Sequence, residues 1–117
     1  MKFITFVTTT NPTEVGAPPP ALMEAIVKLG MEAGSRMVDT GGMSDTATVR
    51  IRSKQILTDG PFAEAKEVVG GYAIYDLPTE AEMMAWTERF AALHRDHWPE
   101  WEGEITIQQL HSFSMPG

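Results

Sequence analysis

Glycine and proline fall in clusters along this 117-residue chain, and the clusters limit what it can build. Breaks at Gly16 to Pro20, Gly41-Gly42, Gly60-Pro61, Gly70-Gly71, Pro78 and Pro99 leave only short segments between them. Proline lacks a backbone donor and glycine carries the largest entropic cost of ordering, so each break punctuates regular structure. No uninterrupted apolar run approaches the ~18 residues of a membrane span, so no contact with a membrane is expected. The N-terminal Phe3-Ile4-Thr5-Phe6-Val7 is too short for a signal-peptide core and has no small-residue cleavage site after it. A cytoplasmic location is the default expectation.

Within those breaks the periodicities separate cleanly. Phe3 to Thr9 is β-branched and aromatic on both alternating faces, as a strand buried on both sides would be. Thr10 to Pro20 reads as a loop. From Ala21 onward, Leu22, Ala25, Ile26, Leu29 and Ala33 recur at helical spacing, and Gly34 is placed to end that helix. Gly41-Gly42 reads as a chain break. Thr46 to Arg52 alternates, with Ala47, Val49 and Ile51 opposite Thr48, Arg50 and Arg52, and Gln55 to Thr58 can return across Ser53-Lys54. Asp59-Gly60-Pro61 is a turn in which Asp59 can accept from its own backbone. Tyr72 to Tyr75 is a further strand, opened by Gly70-Gly71.

The second helix has the stronger start signal, a capping box of Thr79 and Glu82. Met83, Trp86, Phe90, Leu93 and His97 follow as one stripe, and Pro99 predicts a stop near Trp98. Glu104 to Phe113 forms the last strand, with Ile105, Ile107, His111 and Phe113 on one face. The order β-α-β-β-(β)-α-β predicts a single α+β domain over residues 1–117, a ferredoxin-like sandwich with both helices on one sheet face. The opposite face needs cover. A homodimer is the simplest source, which gives a dimeric α+β barrel.

Composition narrows the chemistry. Nine Lys+Arg against 16 Asp+Glu give a net charge of −7 and a pI near 4.8, which argues against binding a polyanion such as nucleic acid. The absence of cysteine excludes disulfides, thiolate metal sites and thiol nucleophiles. His94 and His97 stand at i,i+3, but two imidazoles do not complete a zinc site. No bound metal and no cofactor are expected. The simpler reading of these histidines is favourable placement at a helix C-terminus, partly protonated.

The run Thr58-Asp59-Gly60-Pro61-Phe62-Ala63-Glu64-Ala65-Lys66-Glu67-Val68-Val69-Gly70-Gly71-Tyr72 resembles the signature of the DGPF subgroup of YCII-related proteins. That resemblance implies a dimeric ferredoxin-like fold with a small-molecule site in a cleft, and a link to extracytoplasmic-function sigma factors keeps a regulatory role open. A His–Asp pair proposed in the wider family has its histidine near the first helix. No histidine precedes His94 here, so that mechanism does not carry over. The residues themselves suggest acid/base chemistry on a small polar molecule, without a redox cofactor. Asp59 or Glu64 would serve as base, Lys66 or Arg50 would orient an anion, and Tyr72 would donate. Each has a plainer role to set against this: a turn acceptor for Asp59, solvated charges for Glu64 and Lys66, an edge-blunting charge for Arg50. The alternative function is a non-catalytic module whose surface meets a protein partner such as a sigma factor.

Overall fold

The computed structural model describes residues 1–44, 46–60 and 68–114. Strand β1 (Lys2–Thr9) leads through a single turn of helix, α1 (Pro12–Val15), to helix α2 (Pro20–Ala33). A 3-10 turn at Gly34–Arg36 hands over to β2 (Met37–Gly42). The hairpin β3 (Thr48–Arg52) and β4 (Gln55–Asp59) follows, then β5 (Val68–Asp76), α3 (Glu80–His97) and β6 (Gly103–Leu110).

Four strands form one antiparallel sheet in the order β2-β5-β1-β6. Setting the hairpin aside, this is the 4-1-3-2 arrangement of a ferredoxin-like βαββαβ unit, with β3–β4 inserted between its second and third strands. The expected α+β sandwich is the fold of one chain. The hairpin forms a separate two-stranded sheet in the register Val49↔Thr58, Ile51↔Ile56. Its turn is made by Ser53 and Lys54, both at positive φ (51° and 66°), the geometry that matches the right-handed twist of a two-residue hairpin.

Several elements differ from the sequence reading. Thr10 to Pro20 is not all loop: Pro12 at the first position starts the turn α1. Gly41-Gly42 does not break the chain. It closes β2, where a Cβ on Gly41 would stand 3.1 Å from Cε1 of Tyr72 and one on Gly71 would stand 3.1 Å from the Gly41 carbonyl. Glycine lets the two strands pair there with the Tyr72 ring laid across them. For the same reason β5 starts before Gly70-Gly71 rather than after it. The last strand ends at Leu110, so His111 and Phe113 are outside it, and Phe113 is 92% exposed. β3 begins at Thr48, two residues later than expected.

The helices cover the face carrying Phe3, Thr5, Val7, Ala73, Tyr75, Ile105 and Ile107. Phe3, Ala33, Ala73, Tyr75, Leu77 and Met83 form the core, with Met37, Trp86 and Ile107 packed against it. Thr79 caps α3 by accepting from the Glu82 amide at 3.2 Å, as the capping signal required, and α3 ends at His97 before Pro99. The buried line along α3 is Met83, Thr87 and His94, not a stripe running to Leu93 and His97. Both lines satisfy helical spacing; the sheet selects the one that faces it. α2 and α3 are tied by the Arg89–Glu32 ion pair, with the Arg89 guanidinium 4.8 Å from the Trp86 ring centre.

Candidate functional site

Helix and sheet close tightly at one end of the layer and separate at the other. The residues facing each other at the separated end explain why. On the sheet side, Thr5, Thr9, Thr40, Ala73 and the glycines 41, 42, 70 and 71 are small. On the helix side, Leu22, Ile26 and Leu29 of α2 and Trp86, Thr87, Phe90 and His94 of α3 stand back from this low floor. The result is a cavity of about 740 Å³ inside one chain. Pro12, Gly16 and Pro18 line it, so the segment between β1 and α2 forms part of its wall.

An aromatic cluster forms the cavity's far wall. His94 is 5% exposed, with its ring centre 4.8 Å from Phe90 and 4.5 Å from Trp101. Its Nδ1 is 3.1 Å from the Phe90 carbonyl, which can only accept, so Nδ1 carries the proton. That assignment leaves Nε2 as a lone-pair acceptor. Burial pushes the His94 pKa below its ordinary value of 6.5, against a smaller upward pull from the Phe90 carbonyl. A neutral imidazole results, in contrast to the partly protonated helix-end histidine expected from the sequence. His97, three residues on, is exposed.

The cluster is held from the strand side. Trp101 donates its Nε1–H to Thr9 Oγ1 at 2.8 Å. Asn11 donates to the Glu100 carbonyl at 2.9 Å and accepts from the Glu102 amide at 3.0 Å. Gly103 lets the Trp101 ring lie flat on the strand: a Cβ there would overlap both that ring and the Thr8 carbonyl.

Arg50 and Asp59, read from the sequence as an anion-orienting group and a base, do not line the cavity. Arg50 and Asp59 form an ion pair on the hairpin at 3.4 Å, with side chains 62% and 46% exposed. Tyr72 borders the cavity along its strand, but its hydroxyl donates to Asp39 Oδ2 at 2.9 Å. Hydrogen bonding to that carboxylate raises the Tyr72 pKa, with smaller contributions from burial and the Asp39 charge. Pro61, Phe62, Glu64, Lys66 and Glu67 of the signature lie outside the described residues. Among the described residues no group of three His, Asp or Glu side chains is placed to hold a metal ion, and no helix is long and apolar enough to cross a membrane. That His94 is buried at the cavity wall was not expected from the sequence. The available signal was its spacing from Met83 and Thr87, which repeats at i+4 and i+11.

Fold and site together define a ferredoxin-like α+β domain with an open-ended cavity between helices and sheet. The chain belongs to the YCII-related family, whose domain model matches residues 28–102. No curated protein matches it. Among solved structures it is similar to a de novo designed protein, Foldit4 (11% identity, covering 94% of this chain and 97% of that one, TM-score 0.48). It is also similar to a de novo designed protein with a ferredoxin fold, LFR1 1 (13% identity, 98% and 89% coverage, TM-score 0.40).

Proposed function

We propose that this protein binds a small, flat, largely apolar molecule bearing one O–H or N–H donor, in the cavity between helices and sheet. The observation that carries this reading is the buried, neutral His94 between Phe90 and Trp101 at the cavity wall. Apolar cavities with few polar groups bind by burial and orient by those groups. Here Nε2 of His94 receives the ligand's donor, with the Thr87 and Thr9 hydroxyls nearby on the lining. If the bound molecule is converted, His94 is better suited to take its proton than Asp59. The imidazole is desolvated and neutral at pH 7, whereas Asp59 is half exposed and paired with Arg50. The ligand is thus more apolar than the polar molecule suggested by the ionisable signature residues.

On the same reading the working unit is a homodimer in the form of an α+β barrel, because the sheet face opposite the helices presents Phe6 and Ile74 with no helix over them. The narrower DGPF-type assignment is supported by the run from Thr58 to Tyr72.

Indole is a suitable probe. Titrated into ¹⁵N-labelled protein, it is expected to give saturable shifts at Thr87, Phe90, His94 and the Trp101 indole N–H. Absence of saturable shifts at millimolar indole, or shifts confined to the β3–β4 hairpin, would overturn the assignment.

A further inference from the structure

Glycine costs conformational entropy inside a helix or strand, so each one there needs a reason. Most described glycines have theirs within the chain: a positive φ, or a neighbour that a Cβ would press at 3.1 Å or closer. Gly30 in α2, Gly42 at the end of β2 and Gly70 within β5 have neither. A Cβ on Gly30 would meet the Met37 side chain at 3.8 Å, and one on Gly42 the Gly70 carbonyl at 3.9 Å. One on Gly70 would meet no described atom within 4 Å. All three glycines line the cavity between helices and sheet.

A strand glycine that the fold does not require marks a place where another molecule comes close to the backbone. We propose that Gly42 and Gly70 set the length of the ligand, a specificity that rests on the binding reading above. The ligand class is an uncharged, elongated aromatic molecule, longer than a single bicycle. Its N–H or O–H donor lies at His94 and its far ring lies on the bare backbone of Gly42 and Gly70.

The strand order supplies the length. Trp101, beside His94, is tied to Thr9 on β1. Gly42 pairs with Gly71, and β5 stands between β2 and β1. Two strand spacings are roughly 10 Å, so a bicycle held at His94 stops short of Gly42. A cavity of about 740 Å³ is also of the size that takes a drug-sized ligand.

The lining supplies the charge. Among the described residues no Asp, Glu, Lys or Arg borders the cavity. An ionised ligand would lose its hydration there without a partner, so the neutral molecule is selected. His94, 5% exposed, offers the acceptor that orients it.

Indole and 5-phenylindole, whose added ring lies on the side away from the N–H, are probes of matched donor and different length. Wild-type protein is expected to bind 5-phenylindole at least about tenfold more tightly than indole, from burial of the extra ring. Gly42→Val fills the floor and is expected to bring the two affinities within about threefold of each other. Gly42→Ala and Gly70→Ala, which add only a Cβ, are expected to lower the same ratio by less and to melt no lower than the wild type. Wild-type protein that binds neither probe would overturn the cavity reading and this inference together. Binding of indole with no preference for 5-phenylindole would overturn the length assignment alone. So would a preference that survives in all three variants, or alanine variants that melt well below the wild type, since the glycines would then serve the fold.

Discussion

The two ends of the helix–sheet layer are built from the same four strands and two helices, yet one is solid and the other hollow. At the closed end Phe3, Tyr75, Leu77 and Met83 interdigitate, each 4% exposed or less. At the open end the same strands present mostly threonine, alanine and glycine, with Val7 among them and Tyr75 at the boundary between the two ends, and about 740 Å³ stays unfilled. Side-chain volume along β1 and β5, rather than helix position alone, decides where the molecule packs and where it can bind. A domain of this size has little stability to spare, and an open end of this kind is retained at a cost in burial.

The sharpest way to break that contrast is to truncate one large residue at each end. Phe3→Ala at the closed end is expected to cost about 3–5 kcal/mol, the cost of removing a fully buried ring. Val7→Ala, on the same strand face but lining the cavity, is expected to cost under about 1.5 kcal/mol, because much of its surroundings is already empty. Urea unfolding of both variants checks the difference; equal losses would mean the open end is packed in solution.

Glycines sharpen the comparison further. Gly103→Ala is expected to destabilise by about 1–3 kcal/mol, because its Cβ meets the Trp101 ring and the Thr8 carbonyl and disturbs the wall that holds His94. Gly30→Ala, in the middle of α2, should act in the opposite direction. Its Cβ would lie 3.8 Å from the Met37 side chain, an ordinary contact, and the helix would gain about 0.5–1 kcal/mol. Thermal unfolding reads both signs.

A subtler effect is expected with pH. Burial lowers the His94 pKa in the folded state, so between that value and 6.5 the unfolded chain binds the proton and the folded one does not. The stability linked to His94 is therefore complete above pH 6.5 and falls as the pH drops toward the folded value. His94→Phe should reduce the slope of stability against pH in that window. An unchanged slope would mean that His94 is not buried as neutral imidazole.

Much of the fold could be read from the sequence where a local signal was sufficient. The Thr79 cap, the Pro99 stop, the Ser53-Lys54 turn and the alternation of β3 each depend on neighbours within a few residues. The glycine pairs could not be read the same way. Gly41 and Gly71 serve a cross-strand approach, which exists only once β2 and β5 pair. The site was harder still. Choosing His94 over His97 as the buried histidine requires knowing which face of α3 meets the sheet, since both spacings fit one helix. The ionisable signature residues drew attention because charge is visible in a sequence, whereas a cavity made by small residues is not.

The central claim is that His94 accepts a hydrogen bond from a ligand in the cavity, and a matched pair of probes tests it directly. Indole has an N–H donor and 1-methylindole does not, while their ring surfaces are similar. Calorimetry on the wild type should show indole binding more tightly, and His94→Phe should weaken indole about tenfold while leaving 1-methylindole nearly unchanged, as expected for the loss of one hydrogen bond of about 1.4 kcal/mol. Equal weakening of both probes, or none of either, would contradict the account.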